Sequence, residues 1–155
     1  MKKTVCRLFS AILLLAALHG AAVAALPELS GWENGELRKT TLDTVSGNKG
    51  LWEERDYRAP NGERYHVVWI EGAGEKGWQP PSENHDGSGD LLESGATYKN
   101  IELLGNRAIF EDQLLFGKSL TLKITNKGTL TIETPNASEP DLLDTARQIA
   151  SFLIP

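Results

Sequence analysis

Oxygen-bearing side chains at alternate positions form the clearest chemical pattern of the sequence. Asn84, Asp86 and Ser88 are each separated by one residue, Gly89 follows them directly, and Glu93 adds a carboxylate. Alternate side chains of a tight loop converge on one ion, and a later carboxylate can complete the oxygen shell that Ca²⁺ prefers. The spacing therefore predicts a calcium site made by Asn84, Asp86, Ser88 and Glu93.

This run resembles the DxDxDG-type loops of exported calcium modules and departs from them at two ligand positions. Asn84 stands in place of the first aspartate and Ser88 in place of the third, and the twelfth loop position carries no carboxylate. Turns require the same residue types, namely Asn, Asp, Ser and Gly. A solvated, turn-rich loop is therefore the alternative interpretation, and calcium is the one cofactor that the sequence indicates.

Aromatic side chains offer a second kind of site, one for binding. Trp78 lies beside two prolines in a glycine-rich stretch that also contains His85, and Trp52 shares a predicted strand with charged residues. Indole rings are over-represented in binding hot spots, because they bury a large area at a small entropic cost. We predict a binding site formed by Trp78, Trp52 and His85. The alternative is that Trp78 folds back and packs its own loop against the sheet.

The sequence contains no recognisable catalytic arrangement. It has no G-x-S-x-G motif, and its one cysteine precedes the apolar stretch described below. Glu53, Glu54 and Asp56 supply carboxylates, and glycosidases need two that face each other. Adjacent residues of a strand point to opposite faces, however, so Glu53 and Glu54 are more typical of a charged edge strand. We therefore predict no catalytic residues, and a hydrolase acting on envelope material remains an alternative.

The first 25 residues have the features of a secretory leader. Lys2, Lys3 and Arg7 give a positive start, and an apolar stretch of eleven residues, 8–18, follows. Residues 22–24 (Ala-Val-Ala) form a cleavage motif, and cleavage after Ala24 or after Ala25 fits equally well. Eleven apolar residues are too few to cross a bilayer core of ~30 Å, which disfavours a membrane anchor. We predict a cleaved signal peptide at 1–25 and a single domain at 26–155.

Removal of this leader changes both the charge and the redox chemistry of the chain. The leader holds Cys6 and three of the 16 basic residues, which leaves 13 basic against 21 acidic residues, a net charge of −8. A negative surface repels phosphate backbones and anionic lipid headgroups, so we expect neither a nucleic acid nor a membrane as partner. Without cysteine, the hydrophobic core alone must stabilise the exported domain.

Short apolar runs separated by turn residues predict an antiparallel sheet. The run Arg64–Glu71 has two largely apolar faces, which predicts a central strand, whereas the charged run Leu51–Tyr57 is typical of an edge strand or a half-solvated strand. Gly105-Asn106 is a two-residue hairpin signal between two further runs. The remaining predicted strands are Glu36–Leu42, Tyr98–Leu104, Arg107–Asp112, Ser119–Thr125 and Thr129–Thr134.

The C-terminal segment has the pattern of an amphipathic helix. Ser138 can cap its start, and Pro140 fits the first turn. Leu142, Ala146, Ile149 and Leu153 recur at helical spacing, so these side chains share one face. The last two strands alternate apolar and polar residues, which means that one face of the sheet is covered. We predict that this helix covers it.

The predicted fold class is therefore α+β, with an antiparallel sheet of about six to seven strands covered by a C-terminal helix. The segment 72–97 holds six glycines and the Pro80-Pro81 pair, which predicts a long loop. Loops beyond ~12–15 residues are uncommon in compact domains and are usually functional or disordered.

The order of these parts, together with the stretch Gly95-Ala96-Thr97-Tyr98, resembles small exported bacterial proteins without an assigned activity. More loosely it resembles the Mog1/PsbP-like sandwich, in which a sheet carries helices. That resemblance implies a fold but no site residue. We expect a periplasmic or secreted accessory module that binds a protein partner or a small ligand without catalysis. A calcium-stabilised exported module and an envelope-acting hydrolase are the alternatives.

Overall fold

The computed structural model describes residues 26–43, 47, 49–72, 84, 96–113, 116–124 and 127–154. These residues form one antiparallel sheet of eight strands and a C-terminal helix that packs on it, which confirms the predicted α+β class. The strands are Glu33–Asn34 (β1), Arg38–Asp43 (β2), Lys49–Arg58 (β3), Arg64–Gly72 (β4), Thr97–Leu103 (β5), Asn106–Gln113 (β6), Gly117–Ile124 (β7) and Gly128–Thr134 (β8). The helix, α1, is Glu139–Leu153.

The strand order shows that two groups of hairpins join in the middle of the sheet. The order is β3-β4-β8-β7-β6-β5, and β1 and β2 both pair with the outer edge of β3. The strands β5 to β8 form a meander, and its last strand, β8, lies beside β4. The predicted central strand is confirmed, because β4 lies between β3 and β8.

One face of the sheet forms the core under α1. Trp69 and Val67 of β4 are fully buried there, and Leu130 and Ile132 of β8 lie directly opposite them. Strand β7 continues the layer with alternate buried leucines, as its sequence pattern predicts. The two central strands approach closely at Gly128, where a Cβ would overlap the Ile70 carbonyl oxygen and the Trp69 ring.

Helix α1 forms where the sequence predicts it and covers β7 and β8. The Ser138 hydroxyl accepts a hydrogen bond from the Asp141 backbone N–H at 3.3 Å, which satisfies one of the free donors of the first turn. Its buried face consists of residues 142, 145, 146, 149, 150 and 153, and these include all four side chains predicted to share a face. No helix in the part of the chain that the structure describes combines the length and apolar character needed to span a bilayer.

Of the two interpretations of the charged run Leu51–Tyr57, the edge strand is wrong and the half-solvated strand is confirmed. Strand β3 is hydrogen-bonded on both sides, to β4 and to the pair β1 and β2. Its odd-numbered residues face the core side, so that Glu53 is fully buried and Arg55 is 7% exposed. Residues 26–32, here called the leading segment, run beside β3. The two charges are tolerated because they form hydrogen bonds with the backbone of Leu26 and Pro27 in this segment.

The hairpin between β5 and β6 is confirmed, but its turn is shifted by one residue. Leu103 pairs with Asn106, so the two loop residues are Leu104 and Gly105 rather than Gly105 and Asn106. Both have positive φ, +52° and +71°, as a primed turn requires. Leucine is an unfavourable residue in this conformation, which explains why the sequence pattern pointed to the next dipeptide.

Candidate functional site

The sheet face that α1 does not cover carries a row of polar side chains that crosses six strands. The antiparallel register places one such residue from each strand beside the next, because side chains of directly paired residues lie on the same face. Three of its six positions carry a carboxylate and one an imidazole, and the other two carry a tyrosine and a serine. It consists of Tyr98, Glu111, Ser119, Glu133, His66 and Asp56.

His66 joins two carboxylates at one end of this row. Its Nδ1 lies 2.8 Å from Asp56 Oδ1, and its Nε2 lies 3.9 Å from Glu54 Oε2. Arg38 of β2 contacts the same two carboxylates, at 2.8 Å from Glu54 and 3.8 Å from Asp56. These groups are partly exposed, so each pair stabilises the fold by only about 0–1 kcal/mol. Their main effect is to hold the imidazole in one orientation.

The row ends in an open cleft of about 650 Å³ between the ends of β1, β3, β4 and β8. This volume is within the ~300–1,000 Å³ that ligand sites occupy. Phe116, from the turn between β6 and β7, lines the cleft and is 75% exposed. An aromatic ring in contact with water at the edge of a cleft is a feature of binding sites, because its burial on binding is favourable.

Two charged residues of the cleft are free to contact a ligand. Within the described residues, Arg64 and Glu133 take part in no ion pair and in no side-chain hydrogen bond. Arg64 lies directly opposite Arg58 across β3 and β4, and like charges in this position destabilise a sheet. Arg58 has Glu33 at 3.9 Å, so Arg64 is the arginine of this pair that lacks a counter-ion in the described chain.

Of the three predicted binding residues, the structure describes only Trp52, which lies away from this cleft. Trp52 is partly buried on the uncovered face, opposite Ile70, and lies four residues along β3 from Asp56. At about 3.3 Å per residue, it is therefore roughly 13 Å away from the cleft. Trp78 and His85 lie outside the described residues.

The predicted calcium ligands are described only in part. The Asn84 side-chain oxygen accepts hydrogen bonds from the backbone and the side chain of Asn100, at 2.7 and 3.2 Å. Asp86, Ser88 and Glu93 lie outside the described residues. Among the residues whose positions the structure gives, no group of three or more His, Cys, Asp or Glu side chains could hold a metal ion. The calcium site stays a prediction.

A second cluster of polar groups is buried on the core side of β3. Glu53 Oε2 accepts a hydrogen bond from the Leu26 backbone N–H, and the Pro27 carbonyl accepts two, from Arg55 and from Tyr57. Burial raises the pKa of Tyr57 to about 12, against a smaller lowering effect of the neighbouring Arg55. This cluster attaches the start of the described chain to the sheet.

The aromatic contacts of Trp32 reinforce that attachment. Its ring packs edge-on against Tyr57, with ring centres 6.5 Å apart, and at a tilt against Tyr65, at 5.6 Å. Asn34 accepts a hydrogen bond from the Leu29 backbone N–H and donates to the Leu29 carbonyl. The sequence pattern does not reveal the buried partners of the leading segment on β3.

The residues of the cleft were also missed, and each has an identifiable reason. Arg64 and Glu133 are 69 positions apart in the sequence and meet only because β8 lies beside β4. Phe116 belongs to an apolar run of the kind that forms a core. No local pattern distinguishes it from a buried side chain.

Comparison of the chain with protein-family models, curated proteins and solved structures finds no match. The resemblance to the Mog1/PsbP-like sandwich therefore stays a prediction, and the function must be argued from the geometry.

Proposed function

We propose that this protein is an exported, non-catalytic binding module whose cleft takes a peptide-like ligand. The ligand class has charged groups of both signs next to an apolar group. A free peptide and an exposed segment of a protein partner share this chemistry.

The observation that carries the proposal is the set of free groups around one cleft. Arg64 offers a cation, Glu133 offers an anion, and Phe116 offers an exposed ring. A peptide carboxylate can pair with the guanidinium in a bidentate manner, which fixes its orientation. The ring then buries the apolar group of the ligand, which supplies most of the affinity.

The surroundings of His66 support a binding role over catalysis. In the described part of the chain, the imidazole contacts the carboxylates of Asp56 and Glu54 but no hydroxyl group. Ser119 lies in the same row, with β8 between it and β4. Two strand spacings are roughly 9.6 Å, which exceeds the reach of a general base on a nucleophile.

Export is supported by the leader pattern of residues 1–25. The residues after the leader contain no cysteine and carry a net charge of −8. Because an acidic domain avoids anionic membranes and nucleic acid, its expected partners are proteins or small ligands of the periplasm or the medium.

A titration with the dipeptide Ala-Phe tests the ligand class, because it carries an ammonium, a carboxylate and an aromatic ring. We expect NMR shifts at the amides of Arg64, Glu133 and Phe116, and binding at least about tenfold weaker in Arg64→Gln. Arg107→Gln is the matched control, since this exposed arginine lies at the opposite end of the sheet.

A photo-crosslinking residue at position 116 of the exported protein tests for a protein partner. We expect a crosslinked product that Arg64→Gln removes, and none from the same residue at position 152, which is exposed on α1. No shift with millimolar Ala-Phe, together with crosslinking that is equal at both positions, would exclude the cleft as the binding site.

A further inference from the structure

Glu53 is a fully buried carboxylate directed at the first described residue of the chain. Its Oε2 lies 3.0 Å from the Leu26 backbone nitrogen, and Leu26 itself is only 2% exposed. Burial of a carboxylate is costly unless hydrogen bonds and a counter-charge compensate it. The Glu53 carboxylate therefore requires a specific donor at this position.

The second oxygen of this carboxylate has a partner that is itself open to solvent. Lys39 Nζ pairs with Oε1 at 2.5 Å, without regular hydrogen-bond geometry. The Lys39 side chain is about half exposed, so water weakens its attraction. A buried cation at the position of the Leu26 nitrogen would therefore compensate this carboxylate better than the half-exposed Lys39 does.

The neighbouring groups fix the register of the chain at this point. Arg55 Nη1 and the Tyr57 hydroxyl donate to the Pro27 carbonyl oxygen at 3.0 and 2.7 Å. The side chains of Leu26 and Leu29 are buried in the core beside them. A shift of the chain by one residue would break all of these contacts, so it is the nitrogen of Leu26 that meets Glu53.

We infer that the leader is removed after Ala25, and that Glu53 is the binding site for the new α-ammonium group of Leu26. Hydrolysis of the Ala25–Leu26 bond leaves a carboxylate on Ala25 and an amine on Leu26, and this amine takes up a proton at neutral pH. The resulting group has three N–H donors instead of one, so it can donate to Oε1 as well as to Oε2. It also brings a positive charge within 3.0 Å of the buried carboxylate.

The charged groups around this amine determine how removal of the leader changes the ion pairs of Glu53. Glu53 faces it from β3 and is paired with Lys39 of β2, while Arg55 of β3 donates to the Pro27 carbonyl beside it. Lys39 can turn into solvent because its side chain is half exposed, whereas Arg55 is held by the Pro27 carbonyl. The ammonium then replaces Lys39 as the partner of Glu53, and the processed chain is more stable than the leader-bearing chain.

The mass of the exported protein is the first test, and it depends on the export proposed above. The full chain is expressed with its own leader and recovered from the periplasm or the medium. A mass that begins at Leu26 supports the inference. A mass that begins at Ala25 overturns it and leaves export intact, whereas an uncleaved chain in the cytosol overturns both.

A double-mutant cycle on the processed protein is the second test. The chain that begins at Leu26 is compared with one that retains Ala25, each with and without Glu53→Gln. We expect Ala25 to lower the folding equilibrium constant about tenfold in the native sequence and to have little effect in Glu53→Gln. Glu54→Gln is the matched control, because this neighbour lies on the opposite face and pairs with Arg38.

Amine labelling gives a readout that remains if Glu53→Gln does not fold. Acetylation of the native protein should modify the lysines and leave the Leu26 amine protected, and unfolding in urea should expose it. Equal labelling of this amine in folded and unfolded protein, or equal stability of the two start sites, would overturn the inference.

Discussion

At the scale of single residues, strand β3 uses charge in two different ways. Glu54 and Asp56 lie on the uncovered face, where water and Arg38 solvate them. Glu53 and Arg55 lie on the core side and are bound to backbone groups of residues 26 and 27. The buried charges of Glu53 and Arg55 therefore fix the register of the leading segment against β3, because a shifted segment would not form these hydrogen bonds.

The buried phenol of Tyr57 makes stability dependent on alkaline pH. Burial raises its pKa to about 12, above the ordinary value of 10.0, so the folded state favours the protonated form. Its contribution is complete below pH 10 and is lost as the pH rises towards 12, by up to about 1.4 kcal/mol per pH unit.

Comparison of the wild type with Tyr57→Phe isolates this contribution from the lysines that titrate in the same range. At pH 9 we expect the variant to be about 1 kcal/mol less stable, because the hydrogen bond to the Pro27 carbonyl is lost. Between pH 10 and 12 the difference in urea unfolding should shrink to zero or reverse. A difference that stays constant over this range would contradict the assignment.

Leu104 adopts a left-handed backbone conformation that is unfavourable for leucine. Its φ of +52° costs a leucine about 1–2 kcal/mol, and its half-exposed side chain gains little from packing. Asparagine tolerates this conformation, so Leu104→Asn should stabilise the protein by about 0.5–1 kcal/mol in chemical unfolding. Leu104→Ala keeps the backbone penalty and serves as the control. Equal stability of the two variants would exclude the backbone as the cause.

At the scale of elements, the sequence predicts what depends on neighbouring residues. The hairpin of β7 and β8 and helix α1 follow from alternation, turn residues and a capping serine, all of which act within a few positions. The pairing of β4 with β8 depends on packing between residues about 60 positions apart, for which the local pattern contains no signal. The same pairing creates the cleft, so its residues could not be predicted either.

The interior position of β3 shows why the rule that charged strands lie at sheet edges fails here. Charge along a strand normally indicates an edge, because a buried charge needs a partner. Here the partners are the backbone groups of residues 26 and 27, which lie just after the expected leader. Backbone donors and acceptors have no side-chain signature, so the sequence cannot reveal that Glu53 and Arg55 find hydrogen-bond partners in the core.

At the scale of the whole molecule, the described residues form two layers, the eight-stranded sheet and helix α1 on one of its faces. Helix α1 packs against β7 and β8, while the leading segment packs against β3 and covers the adjacent part of the same face. Both coverings share one apolar cluster, which includes Leu26 and Leu29 as well as Ile149. The start and the end of the domain are therefore coupled through the core rather than through direct sheet pairing.

This coupling predicts that the sheet does not survive without α1. Truncation after Pro135 removes Leu142, Ile149 and Leu153, and the burial of each contributes roughly 1.5–3 kcal/mol. A domain of this size is stable by only about 5–15 kcal/mol, so the truncated chain should lose its cooperative melting transition in near-UV circular dichroism. Phe152→Ala is the control, because this helix residue is 60% exposed and should change stability by less than about 0.5 kcal/mol. A truncated chain that still melts cooperatively near the temperature of the full domain would mean that the leading segment alone can keep the apolar face of the sheet from water.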